Sequence, residues 1–116
     1  YKNKEVIMKS FVITVFSGMF LLISGQVLAG GDIEAGKKKA AEVCAACHGL
    51  DGNSPNPAFP KIAGQYRTYL EKSLIEYKTG ERKNAIMSGM AAALSTEDID
   101  NLSVYYSSQS GLATKK

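Results

Sequence analysis

The chain has 116 residues, of which 45% are hydrophobic, and a formal net charge of +3 at pH 7. This length limits the chain to a single domain. The charge is small and no basic stripe with interleaved aromatic residues occurs, which argues against a nucleic-acid surface. Two cysteines and one histidine are too few for a structural zinc site, which uses about four such ligands.

The N-terminal 29 residues predict a signal peptide. After Lys9 no charged residue occurs until Asp32, and residues 11–23 form an apolar run with few interruptions. This pattern is typical of the hydrophobic segment of a secretory signal. The alternative is an uncleaved membrane anchor, because the 22 uncharged residues at 10–31 approach the ~20 that span a bilayer.

The expected cleavage site follows Ala29. Residues 25–29 end in small side chains at the places that signal peptidase requires. The mature domain would then cover residues 30–116 and lie in the periplasm. Because the chain opens on Tyr1, residues 1–7 are interpreted as upstream of a natural start at Met8.

A first helix is predicted over residues 33–47. Asp32 is a favourable N-cap, because its carboxylate can accept hydrogen bonds from the first backbone N–H groups. Gly36 and Ala40 fall on one side of this helix, where small residues would let another helix cross at close range. Alternatively, Gly36 only weakens the helix by ~1 kcal/mol.

Cys44, Cys47 and His48 form a CxxCH segment at the end of this helix. Such a segment is the attachment signature of c-type haem, in which two thioethers hold the porphyrin and the imidazole binds iron. Helical spacing puts the three side chains on one face. A thioredoxin-like redox pair and a structural disulfide are weaker alternatives, because no strand-rich βαβ pattern precedes the cysteines.

Residues 49–64 are predicted to form a loop, because they contain all three prolines of the chain. A haem-binding imidazole needs an acceptor on its other nitrogen. The Pro60 carbonyl, twelve residues after His48, is the candidate for this acceptor.

A second helix is predicted over residues 65–79, with Gly80 just beyond its end. Its expected buried face consists of Tyr66, Tyr69, Leu70, Leu74 and Tyr77. Tyrosines at this spacing usually belong to a core, although one of them could donate a hydrogen bond to a haem propionate.

The apolar residues 85–94 are expected to cover the second face of the haem. Because the only histidine is already used, the sixth iron ligand must be of another type, and methionine is the usual partner of histidine. Met87 and Met90 are the two candidates outside the leader.

A last helix is predicted to start with a capping box at Ser95 and to run to about Gln109. Its apolar positions are Ile99, Leu102, Tyr105 and Tyr106. Residues 114–116 are expected to fray.

Residues 30–116 carry eleven lysines and arginines against ten acidic residues. The run Lys37, Lys38 and Lys39 is interpreted as a solvated helix face, with a docking patch for an acidic partner as the alternative. A domain this small usually needs a cross-link or cofactor for stability. We expect haem to provide it and the haem-free chain to be largely unfolded.

The ordered set of motifs resembles the class I c-type cytochromes, in particular the short bacterial single-haem type and one haem domain of the periplasmic dihaem cytochromes. The segments that carry the resemblance are GDIEAGK at 31–37, CAACHG at 44–49, DGNS at 51–54, FPKIAGQ at 59–65, MSGMA at 87–91 and residues 94–106. A second CxxCH half, found in the dihaem relatives, does not occur in this sequence, so the chain is expected to be either a single-haem protein or one domain of a dihaem protein.

The resemblance implies an all-α cytochrome c fold in which three main helices surround one covalent haem c. It implies that the first and last helices cross near Gly36 and Tyr105. It also implies Met87 as the axial iron ligand with His48, and Pro60 as the source of the carbonyl. Met90 then becomes a haem-edge or core residue.

These assignments predict an electron carrier rather than an enzyme, because protein ligands on both sides of the iron leave no position for a substrate. The expected function is to shuttle one electron from a quinol-oxidising complex or dehydrogenase to a terminal oxidase or reductase. The expected partners are redox proteins, including membrane complexes as transient partners, that dock at the exposed haem edge near Ala45, Ala46, Met90 and Ala91. The protein is expected to be a monomer. The alternatives are a haem subunit permanently bound to one oxidoreductase complex and a peroxidase or gas-binding protein with a labile Met87.

Overall fold

The computed structural model describes residues 30–114, and this part of the chain is built from α-helices without strands. The helices are α1 (Ile33–Val43), α2 (Ala45–His48), α3 (Arg67–Thr79), α4 (Ala85–Ala91) and α5 (Thr96–Ser108). The all-α class is therefore confirmed. The predicted signal peptide, residues 1–29, lies outside the described residues. Of the two residues that flank its predicted cleavage site, only Gly30 is described. None of the helices within residues 30–114 has the length and hydrophobicity that a membrane crossing requires.

Helix α1 begins as expected but ends earlier. The Asp32 carboxylate accepts hydrogen bonds from the backbone N–H groups of Glu34 and Ala35, at 2.8 and 3.0 Å. The single helix predicted over residues 33–47 is divided in two at Cys44, whose φ of −107° and ψ of −32° lie in the right-handed helical region but depart from regular helical values. The N–H of Cys47 then donates to the Cys44 carbonyl three residues back, which tightens the turn. The short helix α2 follows this break.

Helices α1 and α5 cross with their backbones in close contact. A Cβ atom on Gly36 would lie 2.0 Å from the Asn101 carbonyl oxygen and 2.7 Å from the Tyr105 Cβ atom. The Asn101 side chain accepts a hydrogen bond from the Asp32 N–H at 2.7 Å. The crossing expected near Gly36 and Tyr105 is confirmed, and only glycine fits at this point.

The lysine run lies beside this crossing. Lys37 and Lys38 are exposed. The Lys39 ammonium lies 3.4 Å from the Asp98 carboxylate of α5 and 3.7 Å from that of Glu42. One lysine of the run thus joins α1 to α5, while the other two are solvated.

The buried core connects α5 to the helices around it and to the loop after His48. It consists of Ala40, Leu70, Ala91, Leu94, Ile99, Leu102, Tyr105 and Tyr106. The Tyr105 hydroxyl donates to the Leu50 carbonyl at 2.8 Å, and the Tyr106 hydroxyl donates to the Gly49 carbonyl at 3.3 Å. Helix α5 therefore holds the start of the loop after His48 in place through these two hydrogen bonds.

Helix α3 begins at Arg67, two residues later than expected, and its buried face is narrower than predicted. Leu70 and Ser73 are buried. Tyr66 and Tyr69, which were expected in the core, are 44% and 47% exposed. The Tyr69 hydroxyl lies instead beside Arg82, which donates to it at 3.4 Å. Leu74 and Tyr77 pack against the core while remaining partly exposed.

The start of α5 is the predicted capping box. The Asp98 N–H donates to the Ser95 hydroxyl oxygen, and the Ser95 N–H donates to the Asp98 carboxylate, both at 3.0 Å. At the other end, the prediction of fraying is wrong for Thr114, whose hydroxyl donates to the Gly64 carbonyl at 2.8 Å. Lys115 and Lys116 lie outside the described residues.

Candidate functional site

A hollow between α2, α3, α4 and the loop after His48 is the candidate site. It consists of two adjoining cavities with volumes of about 170 and 250 Å³. The residues that line both cavities are Cys44, His48, Pro60, Tyr77 and Met87. We call the smaller cavity the thiol lobe, because Cys47 lines it as well, and the larger cavity the second lobe. The two lobes lie next to each other, because these five residues line both of them.

The two cysteines are free thiols on the wall of this hollow, although the helix breaks between Val43 and Ala45. Burial raises the pKa of Cys44 to about 11, and a hydrogen bond with Tyr106 partly opposes this shift. Cys44 is therefore an uncharged thiol at neutral pH. Cys44 and Cys47 line the thiol lobe together with His48, as the CxxCH spacing predicted.

The His48 imidazole is buried, with 8% of its surface exposed. Its Nδ1 atom lies 2.8 Å from the Pro60 carbonyl oxygen. Because a carbonyl can only accept, Nδ1 carries the hydrogen and donates it. The lone pair of the imidazole is then on Nε2. This is the tautomer and orientation that a metal-binding histidine needs.

The two methionines of α4 occupy different positions. Met87 is half-buried and lines both lobes, whereas Met90 is 49% exposed and lines only the thiol lobe. The Met90 side chain thus lies at the rim rather than in a core position. Met87 is the methionine that faces the same space as His48 from a different helix.

Asn84 fixes the start of the helix that carries Met87. Its side-chain oxygen accepts hydrogen bonds from the N–H groups of Ile86 and Met87, at 3.1 and 2.9 Å. This N-cap was not predicted, because residues 85–94 were expected only to cover the second face of the haem and no helix start was assigned to them. The available signal was an asparagine directly before an apolar run, which favours a helix start.

The chemistry of these residues fits haem c. Two thiols can form thioethers, an imidazole with a free Nε2 can bind iron, and a thioether can bind it from another helix. The rest of the thiol lobe is largely apolar, as a porphyrin face requires; it includes Val43, Ala58, Phe59, Ile86 and Met90.

Comparison with known proteins agrees with this assignment. The Cytochrome c family model matches residues 33–110. Cytochrome c4 of Stutzerimonas stutzeri is 48% identical over 98 residues, which cover 77% of this chain and 46% of the relative. Cytochrome c-554(548) of Halomonas halodenitrificans is 48% identical over 82 residues, which cover 68% of this chain and 98% of that protein.

The fold agrees as well. The crystal structure of reduced recombinant cytochrome c4 from Pseudomonas stutzeri superposes with a TM-score of 0.65 and 48% identity, covering 71% of this chain and 47% of that one. The chain spans about half the length of the curated cytochromes c4 that it matches. With its single CxxCH segment, the chain holds one covalently bound haem c. It belongs to the cytochrome c family.

Proposed function

We propose that this chain is a single-haem electron carrier whose iron is bound by His48 and Met87, with thioethers at Cys44 and Cys47. The observation that carries the proposal is that the predicted iron ligands line both lobes of the hollow. His48 and Met87 line both lobes from different helices, and Cys44 lies on the same wall. Haem iron supplies a one-electron change between its ferrous and ferric states.

The protein residues around the hollow would set the properties of this iron. The Pro60 carbonyl holds the His48 ring in one orientation and raises its basicity. The Met87 thioether favours the ferrous state more than a second imidazole would, so a raised potential is expected. His48 and Met87, if both held the iron, would leave no coordination position for a substrate. A carrier, rather than an enzyme, follows from this arrangement.

Redox partners would dock at the rim of the thiol lobe. Ile86 and Met90 lie one helical turn apart there and are 59% and 49% exposed. Ala46 is also exposed, and Ala45 is half-buried. Ala91, which was expected at this edge, is fully buried and does not contribute. A small apolar rim suits brief contacts between this chain, as a monomer, and its redox partners, which would include membrane complexes.

The periplasm is the proposed location, since residues 1–29 have the pattern of a secretory signal. Expression of the full chain in a bacterium with haem-attachment machinery tests this proposal. Intact mass spectrometry of the periplasmic fraction should give a protein that begins at Gly30 and carries one haem. Recovery of the full-length chain from the membrane fraction would contradict cleavage.

The axial ligand is tested by Met87→Ala, with Met90→Ala as the matched control. We expect Met87→Ala to abolish the sulfur-to-iron charge-transfer band of the oxidised protein and to let the reduced protein bind carbon monoxide. Met90→Ala should keep the band and exclude carbon monoxide. Loss of the band only in Met90→Ala would reverse the assignment. Carbon monoxide binding by the unmodified protein at neutral pH would instead indicate a gas-binding or peroxidase function.

A further inference from the structure

The carbonyl that orients His48 lies in a segment with little packing of its own. The Pro60 carbonyl accepts a hydrogen bond from His48 Nδ1 at 2.8 Å. Residues 55–58 and Pro60 itself are exposed. Proline also has no N–H group with which to fix its own position. The position of this carbonyl therefore depends on contacts made by the residues around it.

Hydrogen bonds hold the chain on both sides of Pro60. After it, the N–H groups of residues 62–63 both donate to the Gly52 carbonyl, at 2.8 and 3.0 Å. Before it, the Ser54 hydroxyl oxygen lies 2.7 Å from the Phe59 carbonyl oxygen, to which it donates. This second contact is the closer of the two to the acceptor of His48, because the Phe59 carbonyl belongs to the peptide that joins Phe59 to Pro60.

The Ser54 hydroxyl oxygen also lies near two further carbonyl oxygens, those of Asn56 at 2.8 Å and Cys47 at 3.4 Å. A hydroxyl has a single hydrogen, so these carbonyls share it with that of Phe59. The Phe59 N–H donates to the Asn56 carbonyl at 3.0 Å, which places the two nearest acceptors in one turn. With either of them as acceptor, the hydroxyl ties Ser54 to the turn that leads into Pro60.

The backbone of Ser54 connects the same residue to His48. Its N–H donates to the His48 carbonyl at 2.7 Å. Ser54 thus contacts the residue that carries the imidazole and the turn that precedes the carbonyl acceptor. We propose that Ser54 is a positioning residue that holds the Pro60 carbonyl against His48 and thereby helps to set the reduction potential of the iron. This inference rests on the haem site proposed above.

The conformation of Ser54 supports a specific use of its side chain. Its φ is +35°, and within residues 30–114 it is the only residue other than glycine with a positive φ. Glycine would adopt this conformation with less strain. What serine adds at this position is the hydroxyl, whose hydrogen bonds to the turn offset the strain of the backbone.

The effect on the iron has a defined direction. A hydrogen bond from Nδ1 to a well-placed carbonyl makes the imidazole of His48 more basic. A more basic ligand stabilises ferric iron relative to ferrous iron, so a loosened Pro60 carbonyl should raise the potential. A purely structural function of Ser54 is the alternative. It predicts lower stability on substitution, with no change in the hydrogen bond of Nδ1 or in the potential.

The experiment compares Ser54→Ala with Ser107→Ala, the matched control. The Ser107 hydroxyl donates to the Val104 carbonyl at 3.1 Å within α5. The measurements on the holoprotein are the midpoint potential and the nuclear magnetic resonance signal of the imidazole N–H in the reduced state. This signal is unambiguous, because His48 is the only histidine of the chain.

We expect Ser54→Ala to move the Nδ1 hydrogen signal to lower frequency and to raise the midpoint potential. Exchange of this hydrogen with solvent should become about two- to tenfold faster, the usual effect of losing one hydrogen bond. Ser107→Ala should leave the signal and the potential unchanged. Ser54→Gly relieves the strained φ while removing the hydroxyl, so it replaces Ser54→Ala in the test if that variant does not fold.

An unmoved Nδ1 signal or a potential that does not rise, in Ser54→Ala or in the Ser54→Gly variant that replaces it, would overturn the proposal. Such a result in a protein with covalent haem and an intact charge-transfer band would refute the function of Ser54 alone. An unmodified protein without covalent haem would refute the haem site and, with it, this inference.

Discussion

Replacement of Gly36 by alanine should destabilise the protein, although alanine is the better helix former. The added Cβ atom would lie 2.0 Å from the Asn101 carbonyl oxygen, whereas ordinary contacts begin near 3.4 Å. The atom in the way belongs to the backbone of α5, so no side chain can rotate aside. Helices α1 and α5 would have to separate by more than 1 Å at their crossing.

The magnitude follows from two opposing terms. Alanine in place of glycine inside a helix gains about 0.5–1 kcal/mol. Overpacking a well-packed contact typically costs about 1–3 kcal/mol, and contact with rigid backbone belongs at the upper end. We therefore expect Gly36→Ala to lower the free energy of unfolding by about 2 kcal/mol. In a domain of this size, this corresponds to a fall in Tm of roughly 8–16 °C.

Gly89→Ala is the matched control, since Gly89 lies within α4 and, in residues 30–114, no atom outside that helix lies within 4 Å of the position of a Cβ. Guanidinium unfolding of the oxidised holoprotein, followed by far-ultraviolet circular dichroism, should give a lower midpoint for Gly36→Ala. The midpoint of Gly89→Ala should be unchanged or higher. Equal stability of Gly36→Ala and the unmodified protein would refute the requirement for glycine at the crossing.

Three further predictions concern hydrogen bonds. Tyr105→Phe removes the buried bond to the Leu50 carbonyl and should lower the free energy of unfolding in denaturant by about 1–3 kcal/mol. The backbone hydrogen bond from Ser95 holds the pKa of Asp98 below its usual value of 3.8. The ionised Asp98 carboxylate should therefore stabilise the fold fully above pH 3.8, and this stabilisation should disappear as the pH falls through the lowered pKa. Acid titrations of unfolding free energy should therefore show Asp98→Asn less stable than the unmodified protein at pH 6, with the difference disappearing in strong acid. Lys78 donates to two backbone carbonyls just after α4. Lys78→Met should therefore loosen this helix and increase carbon monoxide binding by the reduced protein. Unchanged binding would show that Lys78 does not hold α4.

Local patterns were sufficient for the features that depend on neighbouring residues. The Asp32 N-cap and the Ser95 capping box are determined within one helical turn, and both occur as predicted. The fold class and the crossing at Gly36 followed from a resemblance that spans most of the domain. The contact between His48 and Pro60, twelve residues apart, was predicted from the need of a haem-binding imidazole for an acceptor and from the same resemblance.

The features that were missed depend on the three-dimensional surroundings. Helical spacing put Tyr69 on the buried face, but the edge of that face meets Arg82 at the open end of the hollow. The break at Cys44 was missed because the spacing of the CxxCH segment is compatible with one unbroken helix. The support of Leu50 by Tyr105 links residues 55 positions apart, for which no local pattern exists.

The crossing of α1 and α5 also determines the order of events during biosynthesis. The residues that attach the haem follow the first of these helices directly, while the helix that completes their surroundings is the last of those in residues 30–114. A chain that emerges N-terminus first cannot form this long-range contact until the C-terminal segment has appeared. During that interval the thiols remain accessible, so an enzyme that attaches porphyrin would meet an open polypeptide and not a closed domain.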